Sequence, residues 1–142
     1  MLAVGFLFLL YMLADMSSSR FDQGLKLLSD IDSEAGHNVI YSLQDICPDL
    51  AKFTIEYPFG DIYSRPALDI KSREIATVAA LTALGHCQPQ LKVHLNAALN
   101  VGCTAEEIKE VLLQMSVYAG FPAALNGMFA FKEVLAERSD LN

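Results

Sequence analysis

The spacing of apolar residues predicts helices along most of the chain. Phe21, Leu25 and Leu28 follow one another at intervals of four and three residues, which places them on one face of an amphipathic helix. We therefore expect a first helix at residues 21–31. No segment alternates apolar and polar residues over the length that a half-buried strand needs. The pattern predicts an all-α fold, with one domain over residues 17–142 and no internal boundary.

Glycine and proline residues divide the first half of the chain into short helices. Gly36 is expected to close the first helix, because glycine readily adopts the left-handed conformation at helix ends. A second helix is expected at residues 38–46, stopped by Cys47 and Pro48, and a third at residues 49–57. The PFG sequence at residues 58–60 then predicts a turn.

The second half carries clearer boundary signals. Asp69 is the expected N-cap of a long helix over Ile70–Leu84. Gly85 follows as the residue that ends this helix, and Pro89 marks the start of the next, which runs to Asn100.

A capping box opens the helix that follows. Thr104 lies three residues before Glu107, the spacing in which each side chain bonds the other residue's backbone N–H. This predicts a helix over Ala105–Tyr118. The GFPAALN sequence at residues 120–126 is rich in turn formers, and a last helix is expected at residues 123–137.

Composition favours an oligomer and disfavours nucleic acid as a partner. Apolar residues make up 53% of the chain and charged residues only 19%, so we expect apolar helix faces to be buried between subunits. The net charge is −7 and the lysines and arginines are scattered, whereas binding of phosphates needs a basic stripe. Three cysteines, at positions 47, 87 and 103, have neither the count nor the spacing of a disulfide framework. A reducing, cytoplasmic compartment is the expectation.

The N-terminal segment, residues 1–14 (MLAVGFLFLLYMLA), is almost wholly apolar. It resembles the apolar part of an export signal but lacks preceding basic residues, and it is shorter than the roughly 20 residues of a membrane-spanning helix. Three interpretations stay open: export, a helix that packs on the body or on a neighbouring subunit, and a start codon placed upstream of a natural Met16. Membrane association is expected only if the segment belongs to the mature protein.

Candidate chemistry lies on the predicted hairpin around Gly85. Glu74 precedes this glycine by eleven residues and His94 follows it by nine. At 1.5 Å per residue they are about 16 Å and 13 Å from the bend, so two antiparallel helices can bring them face to face. A carboxylate bonded to an imidazole fixes its tautomer and prepares it for proton transfer. Cys87 lies seven residues before His94, and direct contact between thiol and imidazole is not expected.

Residues 59–137 resemble the carboxymuconolactone decarboxylase family, within the superfamily that includes alkyl hydroperoxidase D. The resemblance is carried by FGDIYSRPALD at residues 59–69, by Arg73 and Glu74, by HLNAALNVG at 94–102, by TAEEIKEVLLQ at 104–114 and by YAGFPAALN at 118–126. The resemblance implies an all-α subunit built around a helical hairpin and assembled as a trimer or hexamer. It also implies a decarboxylase without metal or organic cofactor, acting on 4-carboxymuconolactone or a related small anionic lactone from aromatic catabolism.

The resemblance also assigns candidate roles. His94 becomes the general acid and base and Glu74 its orienting partner. Candidate substrate contacts are the carboxylate clamps Arg65 and Arg73 and the wall residues Tyr118 and Asn126. Each has a structural alternative: Glu74 beside Arg73 can form a subunit salt bridge, Arg65 can anchor a loop, and residues 118–126 can serve only to turn the chain.

The chain departs from the family's peroxidases, which carry a CxxCxxxH motif. Counting back from His94, Cys87 holds the first cysteine position but Gln90 holds the second. Peroxide reduction then needs Cys87 to be resolved by Cys47, Cys103 or an outside thiol. A thiol peroxidase is therefore the second hypothesis, and a non-catalytic oligomeric protein is the third.

Overall fold

A computed structural model describes residues 19–140, and these residues are all-α, without a β-strand. The predicted apolar segment, residues 1–14, lies outside this range. The described residues fall into two compact units, one up to Ser64 and one from Arg65 onward, called here the N-terminal and C-terminal units. The prediction of a single domain stays a prediction. None of the helices between residues 19 and 140 is long and apolar enough to cross a membrane.

The N-terminal unit differs in its helix boundaries from the sequence prediction. Its elements are α1 (Arg20–Ile31), α2 (Ala35–Leu43), α3 (Pro48–Ile55) and a π-helix, π1 (Glu56–Tyr63). The first helix is confirmed. The expectation that Gly36 ends it was wrong: Asp32 caps α1, and Gly36 lies inside α2, where it is buried beside the side chains of Leu25 and Leu28. The second helix consequently starts three residues earlier than residue 38, at Ala35.

The turn predicted at residues 58–60 is also wrong, because the chain continues there as π1. Pro58 has no N–H to donate to the carbonyl four residues earlier, so it interrupts regular α-helical bonding. Gly60 allows close packing: a Cβ on it would be 2.4 Å from the backbone carbonyl oxygen of Arg20, on α1. The wider π-helical turn therefore packs directly on the start of α1.

The C-terminal unit contains α4 (Ile70–Leu84), α5 (Gln88–Asn100), α6 (Ala105–Tyr118) and α7 (Phe121–Asp140). The predicted helices over Ile70–Leu84 and Ala105–Tyr118 are confirmed to the residue. Local chemistry explains this agreement: the Asp69 side chain accepts from the backbone N–H of Ser72, and Gly85 has a φ of 78°. Both halves of the Thr104 and Glu107 capping box are present.

The last helix starts earlier than residue 123, and the expectation of a turn-rich stretch at residues 120–126 was wrong. The turn is confined to the end of α6 and Gly120, with a φ of 90°, and α7 starts at Phe121. Pro122 is the second residue of the helix, where the missing N–H costs nothing. One apolar core joins the four helices, and its buried members include Val78, Leu95 and Leu112.

Candidate functional site

The buried face of α4 carries one carboxylate. Glu74, Val78 and Thr82 are spaced by four residues and form the buried stripe of this helix. The Thr82 hydroxyl bonds the carbonyl of Val78 on its own helix, at 2.7 Å. Glu74 is fully buried, with 0% of its side chain exposed, and a carboxylate in such a position needs a strong partner.

His94 is that partner. Its Nδ1 lies 2.8 Å from Glu74 Oε2, across the hairpin formed by α4 and α5. The contact that the hairpin geometry predicted is therefore present. An ionised Glu74 carboxylate only accepts hydrogen bonds, so in that state Nδ1 carries the proton and donates it. The Nε2 atom makes no hydrogen bond within the described part of the chain. Because the imidazole is 22% exposed, an incoming molecule can bind to Nε2.

Glu74 has spare hydrogen-bonding capacity. Its Oε1 is buried and has no hydrogen-bond partner among the described residues. Leaving a buried acceptor unpaired is costly, so the carboxylate depends on the single bond from His94. This arrangement holds the imidazole in one tautomer and orientation, which is the requirement for directed proton transfer.

Three side-chain contacts fix the start of α4, one turn before Glu74. Asp69 accepts from the backbone N–H of Ser72 at 2.8 Å and from its hydroxyl at 2.9 Å. These bonds, led by the backbone one, hold the pKa of the Asp69 carboxyl below its usual value. Lys71 forms an ion pair of 2.9 Å with Glu107 on α6. The hydrogen bond that Lys71 donates to Glu107 raises the pKa of the Lys71 amine.

Arg73 makes the third contact, within the loop that leads into α4. Its Nε donates to the carbonyl of Leu68 at 3.1 Å, and its Nη2 donates to the carbonyl of Arg65 at 3.0 Å. The planar guanidinium thus bridges two carbonyls of the loop that leads into α4. The side chain of Arg65 is exposed and is the better placed of the two to meet an anion from solution.

Cys87 is the N-cap residue of α5 and lies next to the hairpin turn, whereas His94 lies further along the same helix. The seven residues between Cys87 and His94 amount to about 10 Å along the helix axis. Cys87 and Asn126 line the same cavity, which has a volume of only about 10 Å³. That is room for about one water molecule and excludes an organic substrate. Tyr118, at 78% exposed, lies on the surface at the end of α6.

The other two thiols differ in exposure. Cys47 is exposed, whereas Cys103 is buried in the core of the C-terminal unit. Burial raises the pKa of the Cys103 thiol, which disfavours its reactive thiolate. All three cysteines are free thiols. Within residues 19–140 no cluster of three or more His, Cys, Asp or Glu side chains is arranged to hold a metal ion.

The sequence did not predict the ion pair of Lys71 with Glu107. The sequence assigned Glu107 only to the capping box, but Glu107 also accepts a hydrogen bond from Lys71, 36 residues earlier in the chain. A lysine at the start of a helix is an ordinary surface residue by its sequence pattern, and only the packing of α4 against α6 reveals the pair.

Comparison with known proteins places this site in a family. The model of the carboxymuconolactone decarboxylase family matches residues 48–133, more than half of the chain. A 4-carboxymuconolactone decarboxylase of Acinetobacter baylyi is 35% identical over 119 residues, which cover 83% of this chain and 88% of that protein. The match includes the region of α4 and α5 that carries Glu74 and His94.

Two further relatives widen the comparison. A nitrosuccinic acid decarboxylase of Metarhizium robertsii is 27% identical over 121 residues, covering 84% of each chain. A 15.0 kDa protein of Paracoccus denitrificans, named only by its position between two genes, is 31% identical over 105 residues, covering 73% of this chain and 78% of its own. Two of these three relatives are named as decarboxylases, and the family supports decarboxylase activity at this coarse level.

Proposed function

Because the chain belongs to the carboxymuconolactone decarboxylase family, we propose that it is a carboxy-lyase that works without a cofactor. The hydrogen bond between His94 and the buried Glu74 is the observation that supports this proposal most directly. It supplies an oriented imidazole with one free nitrogen, and proton delivery is what a decarboxylase must provide after carbon dioxide has left.

The proposed substrate is 4-carboxymuconolactone or a related small anionic lactone. The names of two relatives support this class, since 4-carboxymuconolactone and nitrosuccinic acid are both small carboxylic acids with an electron-accepting group near the carboxylate. Such a group receives the electron pair when the bond to carbon dioxide breaks. The substrate then supplies its own electron sink, and the protein has to position it and provide a proton.

The proposed mechanism has two steps. The bond between the ring carbon and the carboxylate breaks, carbon dioxide leaves, and the electron pair moves into the lactone carbonyl to form a dienolate. Before this step Nε2 of the partly exposed His94 ring takes up a proton from solvent. The resulting imidazolium gives this proton to the carbon, and solvent then protonates Nε2 again. Glu74 stays bonded to Nδ1 throughout and acts as a positioning residue.

Arg65 is the proposed contact for a substrate carboxylate. Its guanidinium is exposed, and its backbone is held by the bond from Arg73 to its carbonyl. A charge-assisted bond to a carboxylate is worth about 1.5–3 kcal/mol, or roughly 10- to 100-fold in kcat/KM. Arg65→Gln is expected to raise KM by that amount. Arg73→Lys, which cannot bridge two carbonyls, is expected to lower kcat as well, because it loosens the start of α4.

The decisive experiment measures carbon dioxide release and loss of lactone absorbance with enzymatically generated 4-carboxymuconolactone. His94→Asn keeps a donor toward Glu74 but removes Nε2, so turnover is expected to fall by about 100-fold or more. His86→Asn is the matched control, since His86 is an exposed histidine whose ring bonds the nearby carbonyl of Leu84. Full activity in His94→Asn would refute the assigned acid.

Cys87→Ser separates this proposal from a thiol peroxidase. The lyase mechanism uses no thiol, so the serine variant is expected to keep its decarboxylase turnover. A wild type that ignores the lactone but reduces peroxide with a dithiol, and loses that activity in Cys87→Ser, would replace the lyase proposal by the redox one.

The subunits are proposed to assemble as a homo-oligomer, a trimer or hexamer. The C-terminal unit supports this with several large apolar side chains that are exposed on α6 and α7, namely Leu113, Val117, Tyr118, Phe121, Leu125 and Phe129. Exposed apolar residues in such number are typical of interaction surfaces. Light scattering after size exclusion tests the assembly, and a monomeric mass at micromolar concentration would contradict it.

A further inference from the structure

The first turns of α4 and α6 are joined by an ion pair to which the proposed mechanism gives no role. Lys71, the second residue of α4, donates to Oε1 of Glu107 on α6 at 2.9 Å. Glu107 uses its other carboxylate oxygen, Oε2, to accept from the backbone N–H of Thr104 at 2.8 Å. It therefore caps α6 and holds the Lys71 side chain at the same time. We call Lys71 and Glu107 the α4–α6 ion pair.

The buried Glu74 lies on the same face of α4 as this pair. Lys71, Glu74 and Val78 are spaced by three and four residues, which places them in one row along the helix. Val78 belongs to the apolar core, which also contains Ile108 of α6. The row is thus held against α6 at one end by the ion pair and at the other by the core. Between these ends, the Glu74 carboxylate makes no hydrogen bond to α6, since its one hydrogen bond within the described residues is to His94.

The thiol of Cys103 shows that these charged groups lie close together. Cys103 is buried, with 4% of its surface exposed. Burial contributes most to the raised pKa of its thiol, the charge of Lys71 lowers that pKa, and the carboxylates of Glu107 and Glu74 raise it. Because interactions between charges weaken with distance, the ion pair and the buried carboxylate both lie near this one thiol. The start of α4 is therefore fixed within a cluster of interacting charges.

We propose that the α4–α6 ion pair positions Glu74, and through it the imidazole of His94, for proton transfer. This inference rests on the proposed function. A carboxylate that has a single hydrogen bond is oriented only as well as the helix that carries it, and a displacement of about 1 Å at a catalytic group slows a reaction. The ion pair holds the turn of α4 that directly precedes Glu74. Lys71 and Glu107 are positioning residues and do not contact the substrate.

Two variants break the ion pair from its two ends. Lys71→Met removes the ammonium group. Glu107→Gln removes the charge but keeps an oxygen for the N–H of Thr104, since glutamine also serves in capping boxes. Because partly exposed ion pairs contribute little free energy, kcat for 4-carboxymuconolactone is expected to fall about two- to five-fold in each variant, with KM unchanged. The double variant should lose no more than either single one, and Lys71→Arg, which keeps the pair, should retain the wild-type kcat.

Lys109→Met is the matched control. Lys109 pairs with Glu106 on its own helix, and its side chain is 43% exposed, close to the 39% of Lys71. This variant also removes one lysine and one ion pair, but it leaves α4 and α6 joined. Its kcat should equal that of the wild type, and an equal fall in Lys109→Met and Lys71→Met would overturn the proposal.

The Nδ1 proton of His94 gives a second measurement that needs no turnover. Nitrogen-15 NMR follows its exchange with solvent, and a proton held by Glu74 is expected to exchange slowly. Lys71→Met should speed this exchange about three-fold or more, whereas Lys109→Met should not. If the wild type leaves the lactone unchanged but the exchange rates differ in this way, the proposed function fails while the positioning of His94 by the ion pair stands.

Three results would overturn the proposal. Equal exchange of the Nδ1 proton in the wild type and in Lys71→Met would show that the ion pair does not act on His94. A raised KM with unchanged kcat would make Lys71 a substrate contact instead. A lower Tm in Lys71→Met, with kcat and proton exchange as in the wild type, would leave the ion pair with a structural role alone.

Discussion

Removing the imidazole of His94 tests whether Glu74 is a buried charge that depends on one partner. Glu74 is fully buried, its Oε2 accepts from His94 at 2.8 Å, and its Oε1 has no partner in the described part of the chain. His94→Ala removes the one hydrogen bond of the carboxylate. Breaking a buried pair in this way costs about 3–5 kcal/mol of the free energy of unfolding. For a chain of this size that corresponds to a fall of roughly 10 °C or more in Tm.

The second variant removes the charge instead. Glu74→Gln keeps the size of the side chain, and its amide oxygen can still accept from His94. We expect it to change the free energy of unfolding by only about 1 kcal/mol. In the double variant, Glu74→Gln with His94→Ala, no charge remains buried, so most of the loss caused by His94→Ala should be recovered. This non-additivity is the signature of a coupled pair.

Thermal unfolding of the four proteins, followed by circular dichroism at pH 7, measures the effect. His86→Ala, at an exposed histidine, controls for the loss of an imidazole and should unfold at the wild-type temperature. If His94→Ala is as stable as the wild type, or if Glu74→Gln fails to rescue it, then Glu74 is not a buried charge held by His94. The argument for an oriented imidazole would fail with it.

Three further predictions concern packing, acid stability and thiol reactivity. Gly24→Ala should lower the free energy of unfolding by about 1–3 kcal/mol in urea titrations, because the new Cβ would lie 2.4 Å from the Ile55 carbonyl oxygen. Gly36→Ala is the control: its Cβ would meet leucine side chains at 3.0 Å and beyond, so the free energy of unfolding should hardly change. The pKa of Asp69 is lowered in the folded protein, so the ionised carboxylate stabilises the fold above the ordinary value of 3.8, and this effect is lost as pH falls through the lowered pKa. Asp69→Asn should therefore lower Tm at pH 7 and make Tm depend less on pH in the acid range. Curves of Tm against pH that match the wild type would refute this. Iodoacetamide at pH 8 should modify exposed Cys47 well before buried Cys103, as peptide mass mapping would show, and faster labelling of Cys103 would contradict its burial.

Features that depend on neighbouring residues in the sequence were predictable. Asp69 and Ser72 are three residues apart, as are Thr104 and Glu107, so the caps that start α4 and α6 form within single turns. Gly85 ends α4 for an equally local reason. The contact between Glu74 and His94 followed from the same signals, because two helices of known start and a tight turn fix which residues lie at equal depth.

The arrangement of the predicted substrate residues was harder to predict from the sequence. The guanidinium of Arg73 bonds two carbonyls of its own loop, which the sequence did not predict. Its spacing from Arg65 and Leu68 carries no signal for this, since the loop conformation between them decides it. The catalytic role of His94 and the substrate contacts of Arg65, Arg73, Tyr118 and Asn126 stay predictions for the assays above.

The sequence by itself determined the all-α class, the first helix, α4 to α6 and the pairing across the hairpin of α4 and α5, because caps, glycine stops and apolar spacing are local properties. Tertiary structure decided the part of the N-terminal unit that follows the first helix. There Gly36 lies within a helix under leucine side chains, and Gly60 lets π1 approach the backbone of α1. A glycine can end a helix or admit a close neighbour, and only the packing of distant segments selects between these two uses.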